Sequence, residues 1–318
     1  MTEITYGIHW LSVVIEGSKT DGFMLYEMFF KSLFGELSNK GHGGRGFEEI
    51  WTALLDFKLY DMPYQGAVEY FHFEIPGQAC ELIDWKILQG FDDVLRNNYT
   101  NRYHYTRLDF AFDNVPFTPQ NVKDAISDEK VRSLAKREKM TVHESPFEKK
   151  DNGEIGTHTV NFGARMSERM IRVYDRRGFT RLEMEFKQDR ADLVAKQILK
   201  AADVSEWFPI AISHLRDFVD FDAAWWHEFV NGIGRANAIV TTPREIRLEQ
   251  MKEWLEHSVA VTLSIVHDVQ RDGYVSKLLT LGRKKRMETN KYDILYKDIE
   301  EQWIELKEQE LEEEDDSE

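Results

Sequence analysis

The feature that most constrains the fold of this chain is a pair of neighbouring segments whose polar side chains alternate with a period of two residues. In the run 170–174, Arg172 and Tyr174 are two residues apart, so both leave the same face of a strand. A short turn at Gly178 follows, and the run 181–187 alternates in the same way. This second run places three polar side chains on one face: Arg181, Glu183 and Glu185. The two runs predict strands that bring a phenol, guanidinium groups and carboxylates to one sheet surface.

A third strand-like run, 107–113, shows the same alternation. Its even-numbered residues are apolar and predict the core side, whereas its odd-numbered face carries Arg107, Asp109 and Asp113. One interpretation is an exposed face with ordinary ion pairs to neighbouring arginines. The other is a metal site, because adjoining strands would crowd carboxylates that need a cation, and hard oxygen ligands suit Mg²⁺ or Mn²⁺. The predicted metal ligands are Asp109, Glu183, Asp113 and Glu185.

These residue types together indicate attack on a phosphodiester. Tyr174 would be the nucleophile, arginines would hold the phosphate, and the acids would hold a divalent metal. The ordinary tyrosine pKa near 10 must be offset at neutral pH by a metal, an arginine or a general base. Arg172 and Arg181 are predicted to act beside Tyr174. Further candidates for phosphate or DNA contacts are Arg165, Arg169, Arg176 and Arg107. The alternative is that Tyr174 is a structural tyrosine with a hydrogen-bonded hydroxyl.

Runs of strands with helices interspersed predict an α+β fold, in which helices pack on a mainly antiparallel sheet. Strands are predicted near 4–16, 53–60, 67–75, 104–113, 140–145, 156–162, 168–175 and 180–187. Helices are predicted near 22–36, 78–95, 118–137 and 189–202. From residue 204 the chain becomes helical, which predicts a smaller C-terminal helical region. Three regions are predicted. Residues 1–203 form a catalytic domain, within which 1–66 is an accessory part in one interpretation. Residues 204–291 form a helical module that is a candidate for DNA binding, and residues 292–318 form an acidic helix with a disordered tail.

Composition narrows the class of protein. The chain has 318 residues, of which 42% are hydrophobic and 31% charged, and this balance is typical of a globular protein. A single cysteine, Cys80, excludes an internal disulfide framework and a thiolate zinc cluster. No secretory leader is evident, and no apolar run approaches the roughly 18–20 residues of a membrane span. We therefore expect a cytoplasmic protein with no membrane partner.

The net charge of −16 is unevenly distributed. Residues 292–318 contain thirteen acids and only two lysines, so this end carries most of the net charge, whereas 161–190 and 271–291 are locally basic. In the second basic zone the candidates for DNA contacts are Arg283, Lys284, Lys285 and Arg286. A capped amphipathic helix without a DNA role is the alternative there. For the acidic end the hypotheses are competition with DNA for the basic zones, docking of a host helicase, or simple solubility.

Several of these motifs resemble the replication initiation factor family of rolling-circle plasmids, which includes phage initiators and relaxases of some integrative conjugative elements. The family's Arg-x-Asp-x-x-x-Asp strand is matched by Arg107, Asp109 and Asp113. Its Gly-Ser-Arg-x-Ser, Arg-x-Tyr-Asp-Lys and Arg-x-Glu motifs are matched by Gly163, Arg165, Ser167, Arg172, Tyr174, Asp175, Arg181 and Glu183. The segment 76–80, PGQAC, is similar to a Gly-x-Gly-Cys turn of the family. Ala164 and Arg176 depart from its usual serine and lysine.

The resemblance covers roughly residues 70–200 well and implies a nicking and joining enzyme that initiates rolling-circle replication or mobile-element transfer. It implies a tyrosine nucleophile at Tyr174 and a metal held by acids rather than by paired histidines. The partners it implies are origin DNA with a single-stranded or hairpin nick site, with a host helicase and a homodimer as further hypotheses. Two alternatives stay open: a DNA-binding regulator that lost cleavage, and a metal-dependent nuclease that uses activated water.

Overall fold

A computed structural model describes residues 3–63, 69–149, 155–176, 178–236, 252, 255–270 and 272–287. Within these residues ten strands form one antiparallel sheet: β1 (Thr5–Glu16), β2 (Ser38–Asn39), β3 (Phe47–Thr52), β4 (Lys58–Pro63), β5 (Tyr70–Ile75), β6 (Tyr103–Asp113), β8 (Met140–Lys149), β9 (Ile155–Phe162), β10 (Arg169–Arg176) and β11 (Phe179–Lys187). Their order across the sheet is β2-β3-β4-β5-β1-β6-β11-β10-β9-β8. Two short strands, β7 (Val131–Ser133) and β12 (Val219–Phe221), pair separately. The predicted α+β fold with a mainly antiparallel sheet is confirmed.

The helices pack on one face of this sheet. They are α1 (Lys19–Phe29), α2 (Lys31–Phe34), α3 (Gly77–Cys80), α4 (Trp85–Asn98), α5 (Pro119–Ser127), α6 (Gln188–Leu199), α7 (Trp207–Phe218) and α8 (Ala224–Val230). Phe110 and Phe112 on β6 are fully buried in the apolar core between helices and sheet. Burying such a side chain stabilises the fold by about 1.5–3 kcal/mol. The alternate residues of β6, among them Arg107, Asp109 and Asp113, lie on the opposite face of the sheet.

The helices predicted at 22–36 and 78–95 are each divided into two in the structure, α1 with α2 and α3 with α4. Two further local predictions also differ from it. The helix predicted at 118–137 ends at Ser127, because Glu129 adopts a φ of 61°, which a helix cannot contain, and β7 follows. The strand predicted at 53–60 begins only at Lys58, after a 3₁₀ turn at Leu54–Asp56 in which Leu55 also has a positive φ. Both breaks depend on left-handed backbone at non-glycine residues, for which the sequence carries little signal.

Contacts divide the chain into two units, Met1–Thr241 and Thr242–Glu318. The first unit holds the whole sheet, and helices α7 and α8 belong to it because Trp207 and Trp226 are buried in its core. In the second unit, α9 (Ala260–Gln270) and α10 (Asp272–Met287) are described. A division of function at residue 203 stays a prediction, and the predicted acidic end at 292–318 lies outside the described residues. None of the described helices is both long and apolar enough to cross a membrane.

Candidate functional site

The polar face of the sheet brings the predicted residues together in rows that run across adjacent strands. In the first row Tyr174 on β10 lies opposite Arg181 on β11, which lies opposite Asp113 on β6. The second row pairs Arg172 with Glu183, and Glu183 with Ala111. The third row pairs Glu185 with Asp109. The two-residue alternation of each strand therefore places all these side chains on one surface.

Tyr174 is half-buried, and its hydroxyl donates a hydrogen bond of 2.6 Å to Glu183 Oε2. Burial raises the pKa of Tyr174 above its ordinary value, and the adjacent charge of Glu183 raises it further, whereas Arg181 and Arg172 act in the opposite direction. The phenol is therefore protonated at neutral pH. Glu183 lies within the distance at which a general base takes a proton from its nucleophile.

Two arginines flank this pair, and each keeps an unused donor. Arg181 donates to both oxygens of Asp113, through Nε and at 2.6 Å through Nη2. Arg172 donates through Nη2 to Glu183 Oε1 and at 3.3 Å to Glu185 Oε2. Within the described residues, Arg181 Nη1 and Arg172 Nε are buried and have no hydrogen-bond partner. A buried N–H without a partner is costly, so these two groups are suited to an incoming anion.

The four predicted metal ligands are already paired with cations. Asp109 accepts hydrogen bonds of 2.9 and 2.7 Å from Arg107, while Asp113 is held by Arg181. Glu185 lies 2.6 Å from Lys187 Nζ and 3.2 Å from Arg107 Nη2. In the part of the chain that the structure describes, no group of three or more His, Cys, Asp or Glu side chains could hold a metal ion. As arranged, the four acids are ion-pair partners and do not form a metal site.

Burial shapes the electrostatics of these acids. It raises the pKa of Asp109 to about 6, against the opposing effect of Arg107. Burial also acts to raise the pKa of Glu185. There the hydrogen bond from Lys187 and the charges of Arg107 and Arg172 prevail, so the pKa of Glu185 is lowered. Asp109, the more deeply buried of these two acids, is thus protonated more readily than Glu185.

Two residues that the sequence did not single out complete the site: His9 and Glu81. His9 lies where β1 shifts register between Ile8 and Trp10. Its Nδ1 is 3.9 Å from Glu183 Oε2, and its Nε2 is 3.6 Å from Glu81 Oε1. Burial and then Arg181 lower the pKa of His9, so the imidazole is neutral at neutral pH.

Gly77, in the PGQAC segment, allows α3 to approach His9. A Cβ on Gly77 would lie 2.5 Å from His9 Cε1 and 2.9 Å from the His9 carbonyl oxygen. The backbone of His9 therefore leaves no room for a side chain at this position. The close approach of α3 to His9 therefore explains why position 77 of this segment is glycine.

The remaining predicted residues are distributed differently. Arg176 Nη1 lies 3.3 Å from His9 Nε2, and the guanidinium of Arg107 lies 4.2 Å from the centre of the Trp10 ring. Arg169 points away from the Tyr174 face, since it pairs with Asp217 at 2.6 Å and covers the ring of Phe218. Arg165 is exposed beside the turn before β10. Arg283 and Lys284 are exposed on α10 of the second unit, and the side chains of Lys285 and Arg286 are outside the described residues.

Comparison with known proteins decides the family. The replication initiation factor family matches residues 104–280, which include every residue of β6, β10 and β11 named above. The protein belongs to the replication initiation factor family. Among solved structures, a rolling circle replication initiator protein from Geobacillus stearothermophilus shares the fold, with a TM-score of 0.58 and 21% identity over 74% of this chain and all of that one. No curated protein matches the chain.

Proposed function

We propose that this initiator nicks one strand of its origin DNA by attack of Tyr174 on a phosphodiester. The observation that carries the proposal is the 2.6 Å hydrogen bond from Tyr174 to Glu183, beside the unpartnered guanidinium N–H groups of Arg172 and Arg181. A nucleophile, a base and two anion donors occupy adjacent positions on three strands. Family membership and the shared initiator fold support the same reaction.

The proposed reaction is a transfer of the phosphoryl group to tyrosine. Glu183 Oε2 takes the phenolic proton as Tyr174 Oη attacks phosphorus. The bond between phosphorus and the 3′ oxygen breaks, and the 3′ oxygen takes a proton from water to become a free hydroxyl. The DNA stays joined to Tyr174 through its 5′ phosphate. Because the number of phosphodiester bonds is unchanged, the reverse reaction rejoins the strand.

Arg172 and Arg181 would hold the scissile phosphate in this reaction. Each already has a carboxylate partner that fixes its orientation, and each presents one further buried N–H. Donors fixed before the reaction stabilise the charge that develops on the phosphate without reorganising. Arg176, which contacts His9, is proposed as a further contact to DNA beyond the scissile group.

The requirement for Mg²⁺ or Mn²⁺ stays a prediction. The arginine pairs of Asp109, Asp113 and Glu185 do not fit a metal site, so we derive no step through a metal. The ordinary role of these three acids in the structure is to orient Arg107, Arg181 and Arg172. A chelator titration with single-turnover nicking as the readout tests whether a divalent ion is needed.

Origin DNA is the proposed partner, and the second unit is proposed to contact its duplex. Exposed Arg283 and Lys284 on α10 support this, because phosphate contacts from basic helices position a protein on DNA. A host helicase and a second copy of the chain are further proposed partners.

The Tyr174→Phe variant tests the proposal. Wild type and variant are incubated with supercoiled DNA that carries the encoding gene and its flanks, with Mg²⁺ or Mn²⁺. We expect relaxation and covalent protein–DNA adducts from the wild type alone. Tyr26→Phe is the matched control, because Tyr26 also loses a buried hydroxyl, which donates to the Gly35 carbonyl far from the site.

Equal nicking by wild type and Tyr174→Phe would contradict the tyrosine mechanism and favour a nuclease that activates water. DNA binding by the wild type without any nicking would favour a regulator that keeps the fold and lacks the reaction.

A further inference from the structure

A cleft of about 320 Å³ opens beside the site, along an edge of β1 that none of the described strands covers. β1 pairs with β5 only from Leu11 onward, although its other edge pairs with β6 from Thr5. Residues 5–9 therefore line the cleft with a strand edge. Arg181 and Asp113 lie at one side, next to Tyr174 in the first row of the site.

Small residues create this space on the polar face. The second row runs from Glu183 to Ala111 and then to Gly7, so its last two positions carry almost no side chain. A Cβ on Gly7 would meet no atom within 4 Å, and Gly7 has no positive φ that would require glycine. Neither backbone conformation nor packing accounts for glycine here. The open space itself is what a larger residue would remove.

The far end of the cleft is aromatic. Trp85 and Trp207 meet edge to face, with ring centres 6.4 Å apart, and Tyr6 lies nearby on the strand. Aromatic faces are the usual platform on which proteins stack unpaired bases. Small-molecule sites have volumes of about 300–1,000 Å³, and this cleft lies near the lower end of that range. Its volume therefore suits one base rather than several nucleotides of a DNA strand.

Two polar groups of the cleft can still form hydrogen bonds to a ligand. Trp207 is 4% exposed, and its indole Nε1 has no hydrogen-bond partner in the described part of the chain, which is uncommon for a buried tryptophan. The Glu81 carboxylate is half exposed; its Oε1 accepts one long hydrogen bond of 3.5 Å from Arg176 Nη2 and lies 3.6 Å from His9 Nε2 and 3.9 Å from Arg181 Nη2, so the carboxylate can accept further hydrogen bonds. One donor and one acceptor thus remain for a ligand.

We propose that this cleft binds the base of one nucleotide adjacent to the scissile phosphate, flipped out of the strand, and that it selects a base with an exocyclic amino group. Trp207 Nε1 donates to a ring nitrogen or carbonyl oxygen of the base, and Glu81 accepts from its amino group. Adenine, cytosine and guanine present such a pair, whereas thymine lacks the amino group. The inference rests on the proposed function, since it makes the cleft a specificity subsite of the nicking reaction.

The test is selection of covalent adducts from a random library of single-stranded oligonucleotides. Wild type, Gly7→Leu, Glu81→Gln and the control Gly234→Leu are compared by sequencing the DNA linked to each protein. Gly234 is a matched control because its Cβ would also meet nothing within 4 Å and its φ is not positive. None of these residues touches Tyr174 in the structure.

We expect wild type and Gly234→Leu to exclude thymine at one position next to the link. Gly7→Leu should lose at least tenfold in adduct yield, and Glu81→Gln should accept thymine there. An abasic nucleotide at that position should reduce the adduct yield of the wild type at least tenfold. It should not reduce the adduct yield of Gly7→Leu below the yield that this variant gives with an intact base. Uniform base usage by the wild type, or equal yields from Gly7→Leu and Gly234→Leu, would overturn the inference.

A binding measurement separates failure of the subsite from failure of the proposed function. Tyr174→Phe cannot form the link, so its tryptophan fluorescence is titrated with the four deoxynucleoside monophosphates at millimolar concentration. Quenching by dAMP, dCMP or dGMP but not by TMP, together with loss of that quenching in the Tyr174→Phe/Gly7→Leu double variant, supports the subsite. This result would support it even if the wild type forms no adduct. Quenching that is equal for all four nucleotides, unchanged by Gly7→Leu, or absent overturns it.

Discussion

Replacing Glu183 by glutamine tests the proposed base most sharply. Glutamine keeps the size of the side chain and an oxygen that can still accept from Tyr174 and Arg172, but it cannot take a proton. Tyrosine with a pKa near 10 is ionised to only about one part in a thousand at pH 7. A positioned general base typically contributes about 10²–10⁴-fold. We therefore expect Glu183→Gln to lower the rate of adduct formation at pH 7 by about 10³-fold.

The pH dependence of this variant carries the stronger signature. The charge and hydrogen bond of Glu183 raise the pKa of Tyr174, and both effects weaken in the variant, so its tyrosine ionises at lower pH than in the wild type. Its reaction then depends on pre-ionised phenolate, and the logarithm of its rate should rise by one for each pH unit above 7. The wild type should show no such rise across the same range, because Glu183 supplies the base.

Single-turnover formation of the protein–DNA adduct, resolved on denaturing gels between pH 6 and 9, measures both effects. Glu185→Gln is the matched control, since it lies on the same strand face and contacts Arg172 but not Tyr174. We expect the control to stay within tenfold of the wild type. A rate for Glu183→Gln within tenfold of the wild type, or one pH slope shared by wild type and variant, would refute a role of Glu183 as the base.

Other predictions follow from single contacts. Gly77→Ala should leave the circular dichroism spectrum unchanged but lower the rate of adduct formation at least tenfold, because the new Cβ displaces His9. The control is Gly90→Ala, whose Cβ would lie 3.6 Å from its nearest neighbour; it should leave the adduct rate unchanged and leave the stability unchanged or slightly raised. Burial lowers the pKa of His72 to about 3, so the folded state prefers the neutral ring, and stability present above pH 6.5 is lost as the pH falls toward 3. His72→Phe should therefore reduce the loss in free energy of unfolding between pH 7 and pH 5, measured with urea, by about 2 kcal/mol; an unchanged loss would contradict this. The family resemblance, and not the observed contacts, predicts that excess EDTA abolishes nicking by the wild type and that Mg²⁺ or Mn²⁺ restores it; nicking that persists in EDTA would exclude this requirement.

Much of the site follows from local patterns in the sequence. Period-two alternation is a property of any strand, so the shared face of Arg172, Tyr174, Arg181 and Glu183 could be predicted once the strands were recognised. The turn at Gly178 made β10 and β11 neighbours. The sequence did not establish that β6 adjoins them; the structure shows that β6 pairs with β11 and gives the register of that pairing.

The rest depends on interactions that one segment does not reveal. His9 reaches Glu183 because of an irregularity in β1, and β1 is far from β11 in sequence. Glu81 enters the site through the close approach of Gly77 to the strand. Carboxylates that crowd a surface suggest a metal, yet here arginines from adjacent strands neutralise them, and the sequence alone could not choose between the two arrangements.

The most direct test of the account is to identify the residue that carries the DNA. Wild-type adduct is digested with protease and nuclease, and mass spectrometry locates the remaining nucleotide on a peptide, while a polymerase assay checks the nicked strand for an extendable 3′ end. We predict a nucleotide linked through its 5′ phosphate to Tyr174 and a free 3′-hydroxyl. A nucleotide on another residue, or a nick with a free 5′ phosphate and no adduct, would contradict the central claim.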